Sequence, residues 1–167
     1  MSLWDCFCVG PLTGLIDSLV KNVFYDPVMP QRGAILRCDL LCGRADHTGI
    51  YLGNGRIAEL DGDGYISEVT PDAFLSASLM RTGMFIYVAC DEETEEPLRC
   101  EAAALRAEAR FGKWTDYNVL LNNCHEFVSG CITGDFNNND VALWMLELTI
   151  ADTLNGGNSV CWRSWDR

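Results

Sequence analysis

The stretch His47-Thr48-Gly49-Ile50-Tyr51-Leu52-Gly53-Asn54-Gly55-Arg56-Ile57-Ala58-Glu59-Leu60 constrains this chain more than any other. Two β-prone runs, His47 to Leu52 and Arg56 to Leu60, flank a Gly-Asn-Gly cluster, which is a hairpin signature. The turn sets the register, and the register decides which side chains share a face. A two-residue turn at Asn54-Gly55 would place Ile50 opposite Glu59 and put Glu59 on the face away from His47. A three-residue loop, Gly53-Asn54-Gly55, places Gly49 opposite Glu59 and brings His47 and Glu59 to one face. Such a loop wants a left-handed third residue, which Gly55 supplies. The chain is therefore predicted to make the three-residue loop with a bulge.

Other elements follow from periodicity and punctuation. Leu12, Leu15, Ile16, Leu19, Val20 and Val23 mark one face of a helix over 11–24. Gly33 to Leu41 reads as a strand, and a turn at Asp61-Gly62-Asp63-Gly64 leads into another, Tyr65 to Val69. Thr70-Pro71-Asp72 opens a short helix running to about Ser78, and Met84 to Cys90 is a central strand. The acidic run Asp91 to Glu96 before Pro97 reads as the solvated start of a helix reaching Phe111, stopped by Gly112. Cys124 to Ile132 is a helix ended by Gly134, and Asp140 caps a last one, Val141 to Leu154, stopped by Gly156-Gly157. Strands cluster in the middle and helices flank them, so the expected class is α+β with an antiparallel sheet packed against helices. A single domain over 1–167 is expected. Its catalytic segment spans about 30–134, with helices 11–24 and 141–154 packing on it.

Composition narrows the function classes. Twelve basic against 24 acidic residues give a net charge of −12, which argues against phosphate-backbone binding and so against nucleic acid. The same charge argues against electrostatic docking on anionic lipid. No stretch is long and apolar enough for a transmembrane anchor, and no basic leader precedes an apolar run, so a cytoplasmic location is expected. Nine cysteines cannot all pair, and a reducing compartment is the simpler reading. Cys6-x-Cys8 and Cys38-x3-Cys42 are isolated pairs without a second matched pair, and only His47 and His125 are available as imidazoles, so no metal and no cofactor are expected.

The second informative block is Asn122-Asn123-Cys124-His125-Glu126-Phe127-Val128. Asn123 is a good N-cap, which puts Cys124 at the first position of a helix. Unpaired amides and the dipole there favour a thiolate, the nucleophilic form of cysteine. A thiolate needs a base, and the base an orienting group. Neighbouring helical side chains diverge by about 100° and do not face each other. His125 is therefore set aside and His47 is the expected base. Glu59 is the expected third member, fixing the imidazole tautomer, with Asp46, Asp61 and Asp63 as rivals.

Three features in this order resemble the permuted papain-like hydrolases of the NlpC-type superfamily, in their lecithin–retinol acyltransferase-like and YaeF/YiiX-like branches. Gly33-Ala34-Ile35-Leu36 resembles the first strand of that group. His47 through Glu59 resembles its histidine strand, hairpin and third-residue strand. Asn123-Cys124-His125-Glu126-Phe127-Val128 resembles its cysteine block. The resemblance implies a circularly permuted papain-like fold, with Cys124 as nucleophile, His47 as base and Glu59 as orienting residue. It places Tyr51 at the cleft or oxyanion site, and the Cys124 amide is a candidate oxyanion donor.

Three departures stand out. Acyltransferase members usually carry a histidine where Glu59 stands, and Glu-His where this chain has His125-Glu126. Animal members also end in a membrane helix that this sequence lacks. The expectation is therefore a cysteine hydrolase cleaving an amide of a peptide, muropeptide or protein conjugate through a thioester. The alternatives are a phospholipase or acyltransferase acting on lipid esters with the same residues, and a non-enzymatic binding module.

Overall fold

The computed structural model describes residues 26–40, 45–76, 81–114 and 123–167. The helix expected over 11–24 lies outside them. Six strands form one sheet in the order β4-β3-β2-β1-β5-β6. They are β1 (Ile35–Leu40), β2 (Ala45–Gly53), β3 (Arg56–Leu60), β4 (Ile66–Val69), β5 (Arg81–Asp91) and β6 (Val160–Ser164). Every neighbouring pair is antiparallel. With its helices the protein is α+β.

Side chains alternate across the sheet, as strand geometry requires. Ile35, Ile50, Leu52, Ala58, Leu60 and Ala89 point to one face. There they meet Ala103, Ala104 and Ala107 of α2 (Glu101–Glu108), Phe127 and Val128 of α3 (Asn123–Thr133), and Leu146 and Ile150 of α4 (Leu143–Leu154). Leu36, Cys38, Tyr51, Ile57, Ile86 and Val88 point to the opposite face. Phe74 of the short helix α1 (Pro71–Ser76) is fully buried against them. Helix α1 starts where its sequence signal places it. Pro71 opens the helix and Thr70 Oγ1 accepts the Ala73 N–H at 3.3 Å.

Four sequence expectations are corrected. The hairpin closes on a two-residue turn, with left-handed Asn54 (φ 53°) and Gly55 (φ 69°) and Gly53 opposite Arg56. A bulge between Tyr51 and Gly53 then restores the register of the body, Gly49 opposite Glu59. The shared face of His47 and Glu59 is thus obtained by a turn plus an upstream bulge rather than by a three-residue loop.

The acidic run does not start a helix. Asp91 ends β5, and its Oδ1 accepts the Glu93 and Thr94 amides at 3.0 and 2.6 Å in a tight turn. Pro97 then bridges back to Cys90, and α2 begins only at Glu101. Asp140 does not cap the last helix, whose N-cap is Ala142. Asp140 Oδ2 instead accepts from Ser129 Oγ and, at 2.6 Å, from Thr149 Oγ1, tying α3 to α4. Finally, β6 pairs along β5 from Tyr87–Ser164 to Asp91–Val160, an element the sequence reading did not contain. Among the described residues no helix is long and apolar enough to cross a membrane.

Candidate active site

The hairpin delivers the first half of the site. His47 and Glu59 are both buried, at 5% and 2% exposure. His47 Nε2 lies 2.7 Å from Glu59 Oε2. A carboxylate at that distance favours the imidazolium and holds the ring in one orientation. The ring rests on Phe74, with centroids 4.9 Å apart. Gly49 makes this packing possible. A Cβ there would lie 2.8 Å from Ala58 O, 2.9 Å from Phe74 Cε2 and 3.0 Å from Ile57 Cγ2. Asp61, one rival for the role of Glu59, spends its Oδ1 on the Asp63 and Tyr65 amides of its own turn.

Helix α3 delivers the second half. Its described residues run from Asn123 to Thr133. Cys124 sits in the first turn, buried at 5% exposure. Its Sγ is directed at the start of β2, 3.9 Å from Asp46 O. Burial alone pushes the Cys124 thiol up. Hydrogen bonds and positive charge from His125 and His47 outweigh burial and hold the thiol well below its ordinary value. A nucleophilic cysteine needs this condition.

His125 corrects the sequence reading, which set it aside. The argument from diverging neighbours concerns side chains within a helix body. Here the ring is held from outside the helix. Its Nδ1 lies 3.1 Å from Thr48 Oγ1, and both residues are buried. Arg37 went unread, and Asp46, a rival for the role of Glu59, pairs with it instead. Burial pushes the Asp46 carboxyl up, and Arg37, with Nη1 at 3.4 Å, opposes that shift. The Arg37 guanidinium lies over the rings of Tyr87 and Trp162, at 5.0 and 5.4 Å. No motif links these positions in sequence; the register Arg37–Thr48 and Arg37–Tyr87 brings them together.

Tyr51 stands apart from this cluster. It lies four residues along β2 from His47, about 13 Å at the rise of a strand. Its hydroxyl accepts the Gly55 N–H at 3.2 Å and its ring packs edge-on against Trp165. Among the described residues no group of three or more His, Cys, Asp or Glu side chains could hold a metal ion.

The family model for lecithin retinol acyltransferase matches residues 29–137, about two thirds of the chain. The matched span contains His47, Glu59 and Cys124. No curated protein matches the chain. The family's chemistry is cysteine-dependent acyl transfer or hydrolysis, and a buried cysteine with a depressed thiol beside a carboxylate-backed imidazole suits that chemistry. The chain belongs to the lecithin retinol acyltransferase family, a branch of the NlpC/P60-like papain-like superfamily.

Proposed function

We propose that this protein is a cysteine hydrolase that cleaves an amide bond through a thioester on Cys124. The observation that carries the reading is the buried His47–Glu59 pair, 2.7 Å apart, beside a thiol held well below its ordinary value. In this mechanism the Cys124 proton resides on His47 and the thiolate attacks the substrate carbonyl. Backbone amides at the start of α3, that of Cys124 among them, stabilise the tetrahedral oxyanion. An amide nitrogen leaves only when protonated. A carboxylate-backed imidazolium at the sulfur is a suitable acid for that step. Water, activated by the now neutral His47, then resolves the thioester.

The chain order His47, Glu59, Cys124 is the reverse of papain order, and we read the cleft as the circularly permuted form of that site. The expectation that nine thiols belong in a reducing compartment goes with this reading.

The family match favours a second reading, in which the same residues act on a lipid ester. One experiment separates the two. The protein is incubated with muropeptides, with peptide amides and with phosphatidylcholine vesicles. Products and the Cys124 peptide are then followed by mass spectrometry. Amide cleavage with a thioester adduct, both lost in C124A, is the expected result. Adduct formation from vesicles alone selects the lipid reading. Undiminished turnover by C124A refutes both.

A further inference from the structure

The proposed mechanism uses one imidazole, yet two meet at the sulfur. His47 and Thr48 are consecutive on β2, so they point to opposite faces of the sheet. His47 faces Phe74 and Glu59 on one side. Thr48 faces α3 on the other, where its hydroxyl holds the His125 ring at 3.1 Å. Cys124 Sγ sits at the start of the same strand, against Asp46 O, one residue before His47. Side-chain hydrogen bonds from both His125 and His47 reach the thiol.

The two rings are held differently. Glu59 is a carboxylate, which favours a positively charged ring. The Thr48 hydroxyl accepts from a protonated ring nitrogen or donates to an unprotonated one, and so supports either form. Thr48 fixes the His125 ring in place.

We propose that His125 is a second catalytic imidazole, sharing the Cys124 thiolate with His47 from the opposite face of β2 and positioned there by Thr48. The proton that leaves sulfur then resides on either ring, with no change in electron count. Loss of one ring weakens the nucleophile, and loss of both returns it to a plain buried thiol. This inference rests on Cys124 being the nucleophile, as proposed above.

The test is the pH dependence of iodoacetamide alkylation at Cys124, read by peptide mass spectrometry in the wild type, H125Q, H47Q, T48V and H125Q/H47Q. Two other thiols report folding in the same digest. Burial pushes Cys90 and Cys131 up to about 12, so they stay unmodified while the protein is folded. The wild-type midpoint is expected well below that of an ordinary thiol. H125Q is expected to raise it by about one pH unit or more, the effect of removing an imidazole that hydrogen-bonds the thiolate. T48V is expected to shift it in the same direction by less. The double variant is expected to leave Cys124 as unreactive as Cys131.

An H125Q profile that superimposes on the wild type overturns the inference. If H125Q exposes Cys131, T48V decides, and an unshifted T48V profile overturns it. A shift in H125Q with none in H47Q upholds the role of His125 while refuting the His47–Glu59 pair of the proposed function. A wild-type Cys124 that titrates like Cys131 refutes both.

Discussion

Replacing Glu59 with glutamine isolates the charge of the carboxylate from its shape. The side chain is nearly isosteric, and an amide oxygen can still accept from His47 Nε2 at the observed 2.7 Å. What disappears is the negative charge facing the imidazolium. Hydrogen bonds to charged partners contribute about 1.5–3 kcal/mol, against about 1 kcal/mol for neutral ones. The Coulomb attraction at contact reaches about 4 kcal/mol at the effective dielectric that suits protein sites. The expected loss is therefore about 1.5–4 kcal/mol, or about 10- to 1000-fold in the acylation rate.

The assay is the burst of p-nitrophenolate on mixing with p-nitrophenyl acetate, which reads acylation of Cys124 without knowledge of the natural substrate. A peptide amide cleaved by the wild type should show the larger loss, because its leaving group also needs the imidazolium's proton. Acylation slowed by less than about threefold in a natively folded E59Q protein would refute the assignment, since a charge in contact with the base is worth more than that.

Two further outcomes test the scaffold. Gly49→Ala should destabilise the protein by about 1–3 kcal/mol in urea titration, because the neighbouring groups are partly backbone and cannot withdraw. Gly62→Ala, where an added Cβ meets nothing within 4 Å, is the control and should be neutral. The second outcome concerns pH. The Arg32 guanidinium bonds Glu108 at 2.7 and 2.9 Å and holds its carboxyl below the ordinary value of 4.5, through hydrogen bonding first. A depressed carboxyl contributes stability in full above its ordinary value and loses it as pH falls through the lower folded value. Wild type should exceed R32M by about 1 kcal/mol at neutral pH, and the gap should close on acidification below 4.5. A gap that stays constant into strong acid would show that Arg32 acts by packing alone.

The parts of the fold that were legible in sequence are those under local control. The hairpin register follows from turn chemistry, although the chain reaches it by a different turn and bulge than the loop expected. Helix α1 follows from Thr70-Pro71, and the segment around Cys124 from its glycine stop at Gly134. The misread parts turn on partners that compete with the expected one. Asp91 to Glu96 looks like a helix start because carboxylates before proline suit one, but the Asp91 carboxylate finds the Glu93 and Thr94 amides first. Asp140 has the sequence of a cap, yet two hydroxyls from separate helices claim it. Strand β6 carries Arg163, an unpromising residue for a buried strand. Glu95, whose carboxylate bonds the guanidinium at 2.5 Å, is 68 positions away in sequence. In the site, His47 and Glu59 could be paired by counting along one hairpin. The contact of His125 with Thr48 spans 77 positions and has no local signature.

Strand β2 is interior to the sheet, and its two consecutive residues His47 and Thr48 answer to different cores. One is steadied by Phe74 beneath the sheet, the other through the helices above it. The sulfur of Cys124, the proposed nucleophile, lies at the start of that strand, against Asp46 O. A cavity opened under Phe74 would slacken the carboxylate-backed ring and leave the hydroxyl-held ring in place, whereas a cavity among the helices would do the reverse. Repacking either half alone should tune the nucleophile in steps instead of switching it off.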